Sequence, residues 1–192
     1  MRFAELNRTT NETKIDMSLN LDGNGRAEID TGIGFFNHML ELFAHHGKFD
    51  LTVKCKGDID VDGHHTVEDI GIVLGKLLAK TANDKKGIAR YACSYVPMDE
   101  SLCRTVVDFG GRPFLSFNAE ICGTCGDFDA SLTEEFLRAV VSYGMFTMHV
   151  DLIRGKNLHH KIEAIFKSFA KALSSSLTVI GGTIPSSKGV IE

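Results

Sequence analysis

Two short motifs carry most of the chemistry available to this sequence: His64-His65-Thr66-Val67-Glu68 and, 95 residues later, His159-His160-Lys161-Ile162-Glu163. On a helix, at ~100° per residue, the first His and the Glu stand ~40° apart around the axis, and the second His and the Glu ~60°. All three side chains of each motif therefore project to one side. Adjacent histidines are ~100° apart, too far to chelate one ion comfortably, so each pair suits two metals, or one metal and one substrate. Neutral imidazole with carboxylate is the ligand set of Zn, Mn, Fe or Ni, and an octahedral nitrogen and oxygen site points to Mn or Fe(II). One His-His pair reads as an exposed helix start. Two, at matching places in a repeat, read as metal ligands.

The elements that must hold these motifs recur in the same order. Lys14 to Leu21 alternates apolar and polar as a half-buried strand does, Asp22-Gly23-Asn24-Gly25 reads as a hairpin turn, and Arg26–Asp30 reads as the returning arm. The period then becomes helical over Phe35–His45, with a strand over Phe49–Cys55 and a long helix over His64–Lys80. After the break at Asn83–Gly87 the pattern repeats: strands around Arg90–Val96, Ser101–Phe109 and Arg112–Ala119 with Gly110-Gly111 as the turn, a helix over Leu132–Tyr143, a strand over Met145–Ile153 and a helix over His159–Leu173. Gly47-Lys-Phe-Asp-Leu-Thr-Val also matches Gly144-Met-Phe-Thr-Met-His-Val at an offset of 97. The expected fold is α+β, with two duplicated βββαβα halves, each a four-stranded sheet with two helices packed on one face. The halves are residues 1–86 and 87–192, the second ending in a tail, within one globular unit.

At the offset of 97, His38 corresponds to Glu135. Each half then supplies one ligand from its first helix and three from its second: His38, His64, His65 and Glu68, and Glu135, His159, His160 and Glu163. That set suits two metal sites that keep positions open for substrate. The tail Gly181-Gly-Thr-Ile-Pro-Ser186-Ser187-Lys188-Gly189 offers backbone N–H groups, hydroxyls and an ammonium, the equipment of a phosphate-binding loop without a Walker A pattern. Arg90, Arg112 and Lys167 lie where they could converge on the same anion. Gly32-Ile-Gly34 lacks the third glycine and βαβ context of a dinucleotide site, and Cys122-Gly-Thr-Cys125 has no partner CxxC.

Composition excludes other classes. With 192 residues, 43% hydrophobic and 24% charged, the chain can bury a core without disulfide staples. A net charge of −4 gives no broad attraction for nucleic acid or anionic membrane. No apolar run reaches the roughly 18–20 residues of a membrane span, and no secretory h-region opens the chain. Five scattered cysteines suit a reducing cytoplasm.

In six stretches the sequence resembles imidazoleglycerol-phosphate dehydratase of histidine biosynthesis. They are Arg8-Thr-Thr-Asn-Glu-Thr13, Gly34–Leu40 through His46–Asp50, Asp62–Asp69, Asp108-Phe-Gly-Gly-Arg-Pro113, Gly155–Lys167 and Gly182–Gly189, spanning nearly the whole chain in the family's order. The resemblance implies helices packed between two four-stranded sheets, a homo-oligomer of 24 subunits with sites at subunit interfaces, and two Mn(II) ions per active site. It puts His38, His64, His65, Glu68, His159, His160 and Glu163 on metal-ligand positions, with His38, His64, Glu68 and His159 also facing substrate. Glu135 stands where the family usually has a histidine ligand. Arg90, Arg112, Lys167, Ser186 and Lys188 fall on phosphate-contacting positions, with Ser187 beside them, and Glu12 and His46 fall near the reacting carbons as catalytic residues. Asn37 stands where many members have Asp, and His45 and His149 are not family ligands.

The implied reaction is dehydration of D-erythro-imidazoleglycerol phosphate to imidazoleacetol phosphate, with the metal-bound imidazolate as electron sink and Glu12 in acid and base work. A metal-dependent hydrolase of a small phosphorylated substrate and a non-catalytic metal-binding assembly protein also fit the histidines. Neither alternative accounts for the phosphate loop.

Overall fold

A computed structural model describes residues 2–191. Strand β2 (Thr13–Asn20) is the alternating segment, burying Thr13, Ile15, Met17 and Leu19 on one face. It lies between β1 (Phe3–Thr9) and β4 (Asp50–Gly57), antiparallel to both, and the short β3 (Ala27–Asp30) is parallel to β4, so the first sheet runs β1-β2-β4-β3. The second sheet repeats this with β5 (Tyr91–Met98), β6 (Ser101–Asp108), β10 (Thr147–Arg154) and β7 (Phe114–Asn118), in the order β5-β6-β10-β7. Two expected hairpins are corrected by this order. Arg26–Asp30 does not return along β2, because both edges of β2 are already paired, and Gly110-Gly111 likewise leads into a strand that pairs with β10 and not with β6. Two elements went unforeseen: β1, whose polar residues hide its alternation, and a small hairpin of β8 (Thr124–Cys125) and β9 (Phe128–Asp129).

Four helices fill the space between the sheets. α1 (Gly34–Gly47) and α2 (His64–Ala82) pack on the first sheet, α3 (Leu132–Gly144) and α4 (Leu158–Ser176) on the second. Across the middle, α1 meets α4 and α2 meets α3, so every close helix pair joins one half to the other. A run of phenylalanines seals the joint. Phe36 of α1 lies edge-on to Phe136 of α3 at 5.2 Å, Phe136 stacks on Phe166 of α4 at 5.5 Å, and Phe43 stacks on Phe169 at 5.1 Å. All five are fully buried, each burial worth about 1.5–3 kcal/mol. The halves therefore share one core.

The α2–α3 contact depends on glycine. A Cβ at Gly75 would fall 2.6 Å from the Val140 carbonyl oxygen and 2.8 Å from the Gly144 nitrogen, and one at Gly71 would fall 2.8 Å from Ala139 Cβ. Gly63, just before α2, lies against Ile33, just before α1, and against Leu132 at the start of α3, while Phe35 of α1 lies 5.1 Å from the His159 ring at the start of α4. All four helices thus begin at one end of the molecule. Gly75→Val should force α2 and α3 apart, costing about 1–3 kcal/mol. A thermal melt showing no loss would mean the close approach is not required.

Candidate active site

The helix starts bring His38, His159 and Glu163 together across the two halves. His159 Nε2 lies 3.1 Å and His38 Nε2 3.9 Å from Glu163 Oε2, and one donor atom from each of the three lies within 4.8 Å of the others. The cause is the packing of α1 on α4, which run in the same sense, so the first turns of α1 meet the first turns of α4. Burial alone would push the Glu163 carboxyl up, but the Lys167 ammonium and His159 outweigh it and hold the carboxyl low. Lys167 Nζ binds Glu163 Oε1 directly, one turn along the helix. Two imidazole nitrogens and an ionised carboxylate oxygen, converging at this spacing, form a donor set that fits a divalent transition ion such as Mn(II).

The other half repeats the helical pair without completing the cluster. His64 Nε2 lies 3.9 Å from Glu68 Oε2, at the same i, i+4 spacing. Glu135 is half-buried on α3 and forms no ion pair with either among the described residues, while its neighbour Glu134 binds Arg138. Instead His64 opens onto a pocket of about 360 Å³ that also exposes Asp62, Asp127 and Asp129. Those aspartates were not singled out from the sequence. Asp127 and Asp129 arrive through the unforeseen β8–β9 hairpin, where no local pattern marks them.

The second histidine of each pair turns away from the first. The His64 and His65 rings stand at 87°, and those of His159 and His160 at 84°. His65 Nδ1 sits 3.0 Å from Asp58 Oδ2, and its Nε2 3.7 Å from Glu12 Oε1. His160 Nδ1 sits 2.8 Å from Glu100 Oε2, and its Nε2 3.9 Å from Asp99 Oδ2. These carboxylates raise the pKa of both imidazoles, each chiefly through the hydrogen bond to Nδ1. Glu100 is held far below the usual carboxylate range, first by His160 and then by the backbone N–H groups of Asn157 and Lys156.

Glu12 stands at the tip of the β1–β2 hairpin, half-exposed, with no hydrogen bond to its carboxylate among the described residues. Its position is fixed from below. The Thr13 hydroxyl donates to Asp69 Oδ2 at 2.5 Å, Arg8 binds the other oxygen at 2.7 Å, and the Thr10 hydroxyl accepts from the Glu12 and Thr13 N–H groups. Asp69 follows Glu68 on α2, so the hairpin is tied to the ligand helix by a nearly buried ion pair. His46 lies in the last turn of α1, eight residues and so about 12 Å from His38 along the axis. Burial and then the Lys167 charge push its pKa down. His45 packs its ring 5.1 Å from that of His46, and His149 lies beside Phe114 on β10.

The basic residues converge as a second site. Arg90, Arg112, Ser186, Ser187 and Lys188 line an open pocket of about 460 Å³. The tail reaches it by pairing with the Asn83–Gly87 break: Ile180 N–H donates to the Gly87 carbonyl at 2.8 Å, and Gly87 N–H to the Thr183 carbonyl at 2.9 Å. Gly87, at φ 75°, leaves the space this needs, since a Cβ would fall 2.1 Å from the Gly181 oxygen. Arg90 is held by Asp108 at 2.7 Å and by the Pro185 carbonyl at 2.9 Å, with its guanidinium over Tyr91. Lys167 is not among the lining residues; its ammonium lies against Glu163 and the Met98 sulfur.

Comparison with known proteins places the chain in a family. Residues 31–173 match the family described as imidazoleglycerol-phosphate dehydratase. Relatives of that name from Exiguobacterium and Thermodesulfovibrio yellowstonii are 54% and 51% identical, covering all of this chain and all of their own. The crystal structure of the Staphylococcus aureus enzyme superposes with a TM-score of 0.84 at 48% identity, covering 92% of this chain and 99% of its own. That of the Pyrococcus furiosus protein gives a TM-score of 0.84 at 31% identity, covering 96% and 99%. The chain belongs to the imidazoleglycerol-phosphate dehydratase family, hydro-lyases of histidine biosynthesis.

Proposed function

We propose that this chain dehydrates D-erythro-imidazoleglycerol phosphate to imidazoleacetol phosphate and water, with two Mn(II) ions in each active site. The observation that carries the metal reading is the His38–His159–Glu163 cluster, built from both halves of the fold. His160, turned away from His159, serves a different ion from that centre. His64 and Glu68 form the corresponding ligand group, with Glu135 as its counterpart to His38 and with His65 turned toward a different ion. When bound, Mn(II) supplies Lewis acidity toward the substrate's imidazole nitrogens, favouring the imidazolate as electron sink.

The reaction removes the C2 proton and the C3 hydroxyl, leaving an enol that tautomerises to the ketone. No carbonyl acidifies C2, so a placed base is needed. Glu12 fills that role: its carboxylate is free, faces His65 Nε2, and is carried on a hairpin anchored to the ligand helix. His46, whose pKa burial and then the Lys167 charge push down, is suited to exchange a proton with the same substrate. The phosphate is held by Arg90, Arg112, Lys188 and the Ser186 and Ser187 hydroxyls, away from the bond that breaks.

Incomplete sites within one chain support a homo-oligomer, for which 24 subunits is the proposed number. The His64–Glu68 pair lacks a third ligand partner among the described residues, and Tyr91, Tyr95, Phe114 and Ile153 stand exposed. No helix of the described residues is long and apolar enough to cross a membrane. All five cysteines are free, which fits the proposed cytoplasmic setting.

A Mn-supplemented assay of imidazoleglycerol phosphate, with a chelated control, tests the activity itself. Glu12→Gln should lower kcat about 10²–10⁴-fold with Mn(II) still bound, and near-normal turnover would remove Glu12 from the proton chemistry. Arg112→Ala and Lys188→Ala should each raise KM roughly 10–150-fold, the worth of about 1.5–3 kcal/mol for a charged hydrogen bond. An unchanged KM in steady-state kinetics would mean that the basic pocket is not the phosphate site.

A further inference from the structure

The two outer histidines meet a carboxylate at the same ring atom, and the two carboxylates come from places that do not correspond. Asp50 and Thr147 open β4 and β10 and are 97 residues apart, so the counterpart of Asp58 is Gly155, which has no side chain. Thr13 and Ser101 open β2 and β6 and are 88 residues apart, so the counterpart of Glu100 is Glu12. A contact inherited passively through duplication would use corresponding residues. Here Asp58 makes in the first half the contact that Glu100 makes in the second, at 3.0 and 2.8 Å from Nδ1.

We infer that Asp58 and Glu100 are positioning residues that hold the Nδ1–H of His65 and His160, fixing the tautomer whose Nε2 lone pair points outward to receive a ligand ion. A ring N–H donating to a carboxylate fixes both tautomer and orientation and makes the opposite nitrogen a better donor. The substitution of origin has a second effect. Asp58 takes Nδ1 of His65, and among the described residues Glu12 carries none of the hydrogen bonds that occupy Glu100, whose Oε1 accepts from the Lys156 and Asn157 N–H groups. The Asp58 N–H also donates to the Glu12 carbonyl at 3.1 Å, so the two residues are placed as a unit. Duplicated positions have divided the work: Glu100 orients a ligand and closes the loop before α4, while Glu12 is left available at the reacting face.

The inference rests on the reading that these histidines bind Mn(II), and one experiment separates the two. Mn(II) is titrated into the full-length metal-free protein, and free ion is counted by electron paramagnetic resonance. Asp58→Ala removes the acceptor on His65. Glu100→Gln keeps an oxygen for the loop N–H groups but turns an amide N–H toward His160 Nδ1, against the required tautomer. Glu28→Gln, at a surface carboxylate paired with Lys54, is the control. With melting temperatures near wild type, the first two variants should bind one class of Mn(II) about 10–100-fold more weakly, and the control should match wild type. Wild-type Mn(II) affinity in Asp58→Ala and Glu100→Gln overturns the inference and leaves the metal reading standing. A wild-type protein that binds no Mn(II) overturns both.

Discussion

The packing of α1 against α4 is the interaction on which the site depends. The two helices come from different halves, and only their contact brings His38 within reach of His159 and Glu163. What holds them is apolar: Phe43 on Phe169, Phe36 against Phe166, and the Phe136 ring between the halves. The polar constellation at the helix starts is therefore set by a phenylalanine core that touches no substrate.

Charge at this end of the molecule is arranged in shared pairs. Glu163 is divided between His159 on one oxygen and Lys167 on the other, and it stays ionised although nearly buried. Lys167 leaves open the Glu163 oxygen that faces His38 and His159, and its ammonium does not line the basic pocket. Farther out, Asp69 links Arg8 and Thr13 beneath Glu12, tying the β1–β2 hairpin to α2.

Much of this was legible in the sequence because it is local. The His-His-x-x-Glu spacing, the alternation of Thr13–Asn20, and the colinear repeat all report periodicity along the chain, and the fold repeats as the motifs do. The sheet order was not legible, because a four-residue β3 after a glycine turn looks the same whether it returns along β2 or crosses to lie parallel to β4. Edge strand β1 carries Glu5, Asn7 and Arg8 between its apolar residues, which masked it. Glu100 meets His160 across 60 residues of sequence, and nothing near either residue announces the other. The break at Asn83–Gly87 marks the end of the first repeat in the sequence, and in the fold its last residue is also the ledge on which the C-terminal tail is laid.

The central claim is that one chain's two halves jointly build a metal centre. Crystals grown with Mn(II), measured at the manganese absorption edge, test it most directly. The account predicts an anomalous peak at coordinating distance from His38 Nε2, His159 Nε2 and Glu163 Oε2, the oxygen that Lys167 leaves open. No peak there at saturating Mn(II) would contradict it.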